Sequence, residues 1–224
     1  RRSKSPWAAP LHIAPKPGGG WRPCGDYRRL NGVTADDAYP LPRIQDFTAE
    51  LAGKKVFSKV DLMRGYHQIP MAKGDIPKTA VITPFGLWEF LRMPFGLRGA
   101  AQTFQRFMDR VTQGLRNIFV YMDDILIASE TTADHQDDLR ALFQRLDEHG
   151  LVVKKAKCVF GVVAIDFLGH RVDGNGITPL EEKVRAIRDF PTPTDVEAVQ
   201  RFLGMLNYYH RFVPDVAGIC APLS

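Results

Sequence analysis

Two adjacent aspartates, Asp123 and Asp124, interrupt an apolar stretch that runs from Ile118 to Ala128. Burying an ionised carboxylate is costly unless a cation or hydrogen bonds compensate, and two neighbouring carboxylates also repel each other. The flanking segments are short and rich in β-branched and aromatic residues, which predicts two strands joined by an acidic turn. Carboxylate oxygens suit Mg²⁺, which proteins usually hold through one or two carboxylates and substrate phosphates.

A third acid occurs in a similar setting. Residues 56–61 alternate like a strand that ends at Asp61, and a break follows at Arg64 and Gly65. A site of three carboxylates can hold two divalent ions roughly 4 Å apart, one lowering the pKa of an attacking hydroxyl and the other neutralising a leaving pyrophosphate. The alternative for Asp123 and Asp124 is a polar hairpin turn without a bound ion, since aspartate is common in turns.

The composition is that of a globular protein. The 224 residues, 45% hydrophobic and 25% charged, suffice for one large domain or two or three packed subdomains. A net charge of +5 favours a polyanionic partner, although any basic protein would show the same excess. Cys24, Cys158 and Cys220 are far apart in sequence, so neither a zinc site nor a disulfide framework is indicated. No apolar run approaches the roughly 20 residues that span a bilayer, and no signal peptide opens the chain.

Hydrophobic periodicity predicts the elements that position these acids. Strands are predicted at residues 11–14 and 21–26 around a glycine-rich loop, and helices at 44–51, 101–111, 134–149, 179–187 and 195–212. Thr194 or Asp195 can cap the last of these helices. The pattern indicates an α+β fold in which helices back an antiparallel sheet.

Several sequence blocks, in order, resemble the reverse transcriptases. Residues 121–124 are similar to the family's Tyr-x-Asp-Asp box, and residues 57–69 are similar to the segment that carries its first catalytic aspartate. Further blocks at residues 5–10, 21–31, 39–44, 93–97 and 167–170 resemble the polymerase of gypsy-type LTR retrotransposons in particular. One departure is that Arg98-Gly99-Ala100-Ala101 stands where such members usually read Asn-Ala-Pro.

The resemblance implies the right-hand polymerase form of an α+β fold, with fingers, an antiparallel palm sheet with helices, and a partial thumb. On this interpretation residues 1–55 are fingers and the start of the palm. Residues 56–170 are palm with a fingers insertion at 67–95, and residues 171–224 lead from the primer grip into the thumb. The chain does not begin with Met, and no RNase H, protease or integrase pattern follows, so we expect an excised piece of a longer Pol polyprotein.

The implied activity is RNA-directed DNA polymerisation, with Asp61, Asp123 and Asp124 as catalytic and metal-binding residues. Two Mg²⁺ ions are the expected cofactors, and Mn²⁺ is expected to substitute for them. The expected partners are an RNA or DNA template with its primer, dNTPs and the rest of a Pol polyprotein, with no membrane, in cytoplasmic virus-like particles. Two alternatives stay open: a non-catalytic nucleic-acid-binding remnant, and a two-metal nuclease, for which no water-activating base is evident.

The resemblance also implies residues that bind the incoming nucleotide. These are Lys16, Arg22, Leu62, Arg64, Gly65, Tyr66, Phe95 and Lys157. Lys16 and Arg22 would contact the triphosphate, Tyr66 would exclude a 2′-hydroxyl, and Phe95 would stack on the nucleotide. Lys157 would protonate the leaving pyrophosphate. The alternatives are solvated surface cations for the lysines and a core aromatic for Tyr66.

A primer grip is implied at Leu168, Gly169 and His170, where the backbone and the histidine would steady the primer end. Beyond it, the last predicted helix offers further backbone and stacking contacts for nucleic acid through Arg201, Tyr208, Tyr209, His210 and Arg211.

Overall fold

The computed structural model describes residues 1–15 and 19–221 of the chain. Lys16, for which a triphosphate contact is predicted, lies outside these ranges. Within them, the chain forms three β-sheets and seven α-helices, linked by turns and short 3₁₀-helices.

Strands and helices are numbered along the chain. The strands are β1 (Ala9–Pro15), β2 (Trp21–Gly25), β3 (Val56–Asp61), β4 (Val81–Thr83), β5 (Gly86–Trp88), β6 (Ile118–Tyr121), β7 (Asp124–Ser129), β8 (Val159–Val162), β9 (Ala164–Phe167), β10 (His170–Asp173) and β11 (Gly176–Pro179). The α-helices are α1 (Arg28–Gly32), α2 (Thr48–Leu51), α3 (Ala100–Thr112), α4 (Thr132–Glu148), α5 (Glu181–Arg188), α6 (Val196–Tyr208) and α7 (Val216–Cys220). The 3₁₀-helices are Ile44–Phe47, Gly65–Gln68, Ile76–Thr79, Lys155–Lys157 and His210–Phe212.

The N-terminal sheet has the strand order β2-β1-β4-β5. β1 and β4 pair in parallel, and the other pairs are antiparallel. Among the residues of these four strands only Val81 is buried, and Trp21 is 67% exposed. Tyr27, which follows β2, is buried and donates its hydroxyl hydrogen bond to the carbonyl of Thr79 at 2.9 Å. This sheet therefore has almost no core of its own.

The central sheet has the strand order β6-β7-β3-β8, and all its pairs are antiparallel. Successive side chains on a strand point to opposite faces, so its buried residues form two separate cores. Val60 and Ile125 pack against α3 and α4, whereas Phe57 and Leu126 pack against β9 and β10. The sheet is thus covered on both faces, which fixes its register firmly because a one-residue slip would exchange the two cores.

Two helices cover one face of the central sheet with apolar residues at helical spacing. Phe104 and Met108 of α3 and Leu142 and Leu146 of α4 are buried there. α4 begins at an N-cap, Thr131, whose side chain accepts a hydrogen bond from the backbone of the first turn.

The C-terminal sheet, in the order β11-β10-β9, lies against the other face of the central sheet. After it come α5 and α6, and the Asp195 side chain caps α6 by accepting the backbone N–H of Ala198 at 2.8 Å.

Most predicted elements are found, with two differences. The segment at 44–51 is a 3₁₀-helix followed by one short α-helix, and the last predicted helix ends at Tyr208, with a 3₁₀-helix after it. The departure at 98–101 places Gly99 at the start of α3 with φ of 76°, a conformation that glycine adopts readily. No helix in the described ranges is long and apolar enough to cross a bilayer.

Candidate active site

β3 and β7 place two acids side by side. In their antiparallel register Asp61 is directly opposite Asp124, at the end of β3 and the beginning of β7. Residues an even number of positions apart on a strand point to the same face. Asp61 is four residues after Phe57, and Asp124 is two residues before Leu126, so both carboxylates lie on the face that carries Phe57 and Leu126. Directly opposed side chains have Cβ atoms about 4.5–5.5 Å apart. The central sheet therefore holds these two carboxylates as neighbours.

Asp123 occupies the two-residue turn between β6 and β7. The preceding Met122 has φ of 53°, in the left-handed region that residues with a side chain disfavour. Its N–H donates to the side-chain oxygen of Gln105 at 2.8 Å, and the carbonyl of Asp123 accepts the N–H of Leu62 at 3.2 Å. These two bonds tie the acidic turn to α3 on one side and to the end of β3 on the other.

Two lysine side chains pair with the two opposed acids. Lys157 Nζ lies 3.2 Å from Asp61 Oδ2, and Lys59 Nζ lies 3.0 Å from Asp124 Oδ1. Burial raises the pKa of Asp123, and the charges of Asp124 and Asp61 raise that pKa further. The three carboxylates are therefore electrostatic neighbours.

A divalent cation fits this site by donor chemistry. Among residues 1–15 and 19–221, no group of three His, Cys, Asp or Glu side chains is arranged as a finished metal site. The ammonium groups of Lys157 and Lys59 hold the carboxylates of Asp61 and Asp124 instead. Carboxylate oxygens nevertheless are the ligands that Mg²⁺ and Mn²⁺ prefer, and negative charge is concentrated here. Lys157 must leave Oδ2 of Asp61, and Lys59 must leave Oδ1 of Asp124, before a cation can bind these two oxygens.

A row of side chains leads from the acidic turn to the N-terminal sheet. The Tyr66 hydroxyl donates to the sulfur of Met122 at 3.2 Å, and the Tyr66 and Phe95 rings meet edge to face, 5.3 Å apart. The guanidinium of Arg22, on β2, lies over the Phe95 ring at 5.1 Å. Burial, with the charge of Asp123, raises the pKa of the Tyr66 hydroxyl. The structure thus brings together three of the predicted nucleotide-binding residues.

The segment after Asp61 passes close to the acidic turn. A Cβ atom on Gly65 would lie 2.8 Å from Cβ of Asp123, so no larger residue fits without movement. Leu62 is buried and reaches the site through its backbone N–H, whereas Arg64 is exposed and has φ of 53°. Left-handed residues at both Arg64 and Met122 show that the backbone here is shaped at some cost, which is common at functional sites.

The turn between β9 and β10 contains the predicted primer grip. Leu168 and Gly169 have φ of 46° and 76°. The Leu168 carbonyl accepts hydrogen bonds from Nδ1 of His170 at 2.8 Å and from the hydroxyl of Tyr208 at 2.7 Å. The Gly169 carbonyl accepts one from the hydroxyl of Tyr209 at 3.1 Å. The hydroxyl groups of residues 208 and 209 therefore fix the turn through its two carbonyls.

The His170 side chain is fully buried, and burial lowers its pKa, so the imidazole is neutral. Within the described residues its Nε2 is the one buried side-chain nitrogen or oxygen without a hydrogen-bond partner. That the histidine helps to steady the primer end stays a prediction, and because the side chain is buried it would do so through the turn and not by direct contact. His170 acts on the turn from inside the fold.

Comparison with known proteins agrees with this geometry. Residues 14–172 match the family described as reverse transcriptase (RNA-dependent DNA polymerase). The chain belongs to the reverse transcriptase family. The predicted family is thereby confirmed, and the gypsy-type assignment stays a prediction.

Relatives of this reverse transcriptase include transposon polyproteins. The retrovirus-related Pol polyproteins from transposons opus and 297 of Drosophila melanogaster are 42% and 38% identical over 231 residues. The transposon Tf2-3 polyprotein of Schizosaccharomyces pombe is 33% identical over 226 residues. Each match covers 100% of this chain, whereas the chain spans only 23%, 22% and 17% of these three relatives.

Solved reverse transcriptase structures share the fold. A foamy viral protease-reverse transcriptase in complex with double-stranded DNA has a TM-score of 0.91 at 26% identity, over 100% of this chain and 39% of that one. A structure of the foamy viral enzyme with an RNA/DNA hybrid has a TM-score of 0.86 at 26% identity, over 100% of this chain and 30% of that one. The predicted α+β polymerase fold is confirmed.

Two residues of this reverse transcriptase site were missed by the sequence predictions. Gln105 is 1% exposed, and besides accepting the Met122 N–H it donates to the carbonyl of Val120 at 3.1 Å. Its polar side chain lies on the apolar face of α3, four residues after Ala101, and that signal could have found it. Lys59 gave no such signal, because its partner Asp124 is distant in sequence.

A buried polar chain supports β3, β7 and α4 behind the acids. Ser58 Oγ lies 2.6 Å from Nε2 of His135, and Nδ1 of His135 lies 2.9 Å from Ser129 Oγ, which donates to Asp138 at 2.7 Å. Ser58 Oγ also accepts the N–H of Gly161 at 3.0 Å. Every bond is satisfied if His135 is neutral with its proton on Nδ1, and burial lowers its pKa as this requires.

Proposed function

We propose that this chain is the RNA-directed DNA polymerase part of a retrotransposon Pol polyprotein, which adds dNMP units to a primer 3′-hydroxyl. One observation carries the proposal: Asp61 and Asp124 are opposed in register, with Asp123 in the adjoining turn. The row formed by Tyr66, Phe95 and Arg22 ends at this turn. Carboxylates and a row of aromatic and cationic groups thus meet at one place.

The acids have distinct roles in this proposal. Asp61 and Asp123 hold two Mg²⁺ ions, for which Mn²⁺ can substitute, and Asp124 assists one ion or orients Asp123. When bound, these ions lower the pKa of the primer hydroxyl and neutralise the leaving pyrophosphate. The raised pKa of Asp123 supports this assignment, since a buried carboxylate beside two others is stabilised by added positive charge.

The incoming dNTP would lie along the row from Arg22 to the acidic turn. Arg22 is exposed and can bind the triphosphate, with Lys16 as a second contact. Phe95 stacks on the nucleotide, and Tyr66 blocks a 2′-hydroxyl. The surface next to Asp123 in this proposed site would be formed by Leu62, Arg64 and Gly65. Gly65 fits this role because it leaves space where any side chain would collide with the turn.

Lys157 is the proposed proton donor to the leaving pyrophosphate. Its side chain is 57% exposed while it pairs with Asp61, so it can leave that carboxylate without disrupting a core. An ammonium group beside the reacting phosphate can both donate a proton and neutralise charge. Lys154 and Lys155 are exposed neighbours, so a simple phosphate contact is the competing role.

For the primer grip, we propose that the backbone at Leu168 and Gly169 steadies the primer end. The His170 side chain positions this turn through its bond to the Leu168 carbonyl. The turn also lines, with Tyr121 and Tyr208, a cavity of about 520 Å³ beside the acidic hairpin. Leu168 of the proposed primer contact and Tyr121, the last residue of β6 before the acidic turn, thus line the same cavity.

We propose the subdomain limits given by the sequence: residues 1–55 as fingers and the start of the palm, residues 56–170 as palm with a fingers insertion at 67–95, and residues 171–224 as the exit from the primer grip and a partial thumb. The parallel pairing of β1 with β4 supports joining 67–95 to the first segment. Template, primer and dNTPs are the proposed partners, with the remaining domains of a Pol polyprotein. The proposed location is cytoplasmic, in virus-like particles.

Primer extension tests the proposal. With a labelled primer on matched RNA and DNA templates, we expect Mg²⁺-dependent incorporation of dNTPs, and Asp123→Asn should reduce it on the order of a thousandfold. Asp137→Asn changes an exposed carboxylate of α4 in the same way and should leave extension unchanged. Tyr66→Ala should gain rNTP incorporation. Normal extension by Asp123→Asn would refute the assigned roles.

A non-catalytic nucleic-acid-binding remnant is the second candidate function. The observation that favours it is that the ammonium groups of Lys157 and Lys59 pair with the carboxylates of Asp61 and Asp124. The same assay separates the two: salt-dependent RNA binding without any dNTP incorporation by the unaltered chain would establish the remnant.

A further inference from the structure

Lys59 lies on the same face of the central sheet as the acids. It is two residues before Asp61 on β3, so both side chains point the same way, and it reaches diagonally to Asp124 on β7 at 3.0 Å. Its ammonium also lies 5.9 Å from the centre of the buried Phe167 ring, directly before the Leu168 turn. Lys59 therefore joins three parts of the site: β3, the acidic hairpin and the C-terminal sheet.

The Lys59–Asp124 pair differs from the Lys157–Asp61 pair. Lys59 is 25% exposed and lies on a strand, whereas Lys157 is 57% exposed and lies on a 3₁₀-helix; their partners Asp124 and Asp61 are 30% and 11% exposed. Water screens an exposed ammonium more strongly than a partly buried one. A cation that approaches Oδ1 of Asp124 must therefore displace an ammonium that is held by a strand and shielded by protein.

We propose that Lys59 is a positioning residue that acts as the resident counter-ion of Asp124 and competes with divalent cations for it. In the protein without substrate, the positive charge of Lys59 keeps Asp124 from completing a three-carboxylate metal site. This inference rests on the proposed function, because it assumes that divalent cations bind at Asp61 and Asp123.

The charge arrangement explains why this position suits a counter-ion. Asp61, Asp123 and Asp124 lie at one edge of the central sheet, and the charges of Asp61 and Asp124 already oppose ionisation of Asp123. Without Lys59, Asp124 would lose its ion-pair partner at this edge. Lys157 opposes this effect at Asp123, and the Lys59 ammonium neutralises part of the charge of Asp124, while the same positive charge repels an arriving Mg²⁺ or Mn²⁺. Lys59 thus stabilises the three neighbouring carboxylates in the absence of a cation and weakens the binding of the first divalent cation.

The direct test measures Mn²⁺ binding to the 224-residue chain without nucleic acid, by the loss of the free-ion signal in electron paramagnetic resonance. Lys59→Met removes the charge and keeps the side-chain length. We expect it to tighten Mn²⁺ binding about fivefold at low salt, a size typical of a partly exposed ion pair. Lys59→Arg keeps the charge and should bind Mn²⁺ like the unaltered chain.

Two controls make the result specific. Lys78→Met removes an ammonium that pairs with Asp75 at 2.7 Å away from the acids, and it should leave Mn²⁺ binding unchanged. In an Asp124→Asn background, Lys59→Met should no longer show the fivefold gain, since the competing pair is already broken. If Lys59→Met does not fold, Lys59→Gln removes the same charge with a polar side chain, and it should tighten Mn²⁺ binding to the same extent.

The outcomes separate this inference from the proposed function. Equal or weaker Mn²⁺ binding by folded Lys59→Met or Lys59→Gln, with binding still abolished by Asp123→Asn, would overturn the role of Lys59 alone. Mn²⁺ binding that does not depend on Asp123 would instead refute the metal site itself. Tighter binding in both backgrounds would show a general charge effect and also overturn the pairing with Asp124.

Discussion

The central sheet and the N-terminal sheet are built in opposite ways. In β3 and β7 most residues are buried on both faces, whereas the four strands of the N-terminal sheet bury only Val81. The acids, which must keep their mutual distances, lie on the covered sheet. Arg22, whose proposed task is to meet a nucleotide, lies on the open sheet. The tightly packed central sheet thus holds the residues whose mutual geometry matters, and the exposed N-terminal sheet holds the residue proposed to bind a polyanion.

The largest expected contrast between the two sheets is in stability. Ile125→Ala removes a fully buried side chain of β7 and should lower the free energy of unfolding by about 3–4 kcal/mol. Ile82→Ala makes the same change in β4, where the side chain is 54% exposed, and should cost less than about 1 kcal/mol. Urea unfolding followed by circular dichroism measures both. Similar losses would show that the N-terminal sheet has more core than the exposure of its side chains indicates.

The second prediction concerns geometry within the covered region. Gly65→Ala places a methyl group against Asp123 and should reduce dNTP incorporation roughly thirtyfold, equivalent to about 2 kcal/mol. Gly74→Ala is the matched control, since a Cβ at Gly74 meets no atom within 4 Å. Single-turnover incorporation gives the rate, and a thermal melt shows whether both variants fold. An unchanged rate for Gly65→Ala would mean that the acidic turn tolerates displacement.

The third prediction concerns the open sheet. Arg22→Ala should raise the KM for dNTP about tenfold, which corresponds to about 1.4 kcal/mol of lost binding, with little change in kcat. Its thermal stability should stay the same because the guanidinium is exposed. Arg140→Ala, an exposed change on α4, should affect neither quantity. A lower kcat with unchanged KM would move Arg22 from nucleotide binding to the chemical step.

The smallest expected effect is on the pH dependence of stability. Burial lowers the pKa of His135 and of His170, one on each side of the central sheet, from the ordinary value of 6.5. The unfolded chain therefore binds protons that the folded chain does not, so the stability is complete above about pH 6.5 and declines as the pH falls below it.

Each histidine should contribute a decline in stability that begins near its ordinary pKa and ends at the lowered pKa of the folded state. Chemical unfolding between pH 7.5 and 5.5 measures it, and hydrogen exchange should accelerate in β3 and β7 before it changes in β1 and β2. His135→Asn should flatten part of this dependence. A stability that rises on acidification would contradict the neutral state of both rings.

The sequence predicts the strands and the hairpin of the central sheet better than it predicts the side-chain contacts within that sheet. Two acids that interrupt an apolar run are sufficient to predict the hairpin, and alternation is sufficient for β3, because these patterns are local. The pairing of Lys59 with Asp124 depends on the register of strands 65 residues apart in sequence, which no local pattern reveals. The same limit applies to Ser58 and His135, whose contact forms only after α4 packs on the sheet.

The open region was harder to predict for a different reason. The β1–β4 pairing is parallel and joins residues about 70 positions apart, through only two residue pairs. Its side chains are largely exposed, so the hydrophobic pattern that marks buried strands is weak there. The nucleotide contacts were found only through resemblance to a family, since Arg22 and Phe95 carry no periodic signal of their own.

The hydroxyl groups of Tyr208 and Tyr209 have a practical consequence for shortening this protein. They cap the carbonyls of Leu168 and Gly169, although both tyrosines lie well beyond residue 172, where the match to the family ends. A version that ends at residue 172 would lose both phenol hydrogen bonds to the bend before β10, and the imidazole of His170 would be exposed to water. The smallest stable unit should therefore extend at least through Tyr209, one residue beyond α6.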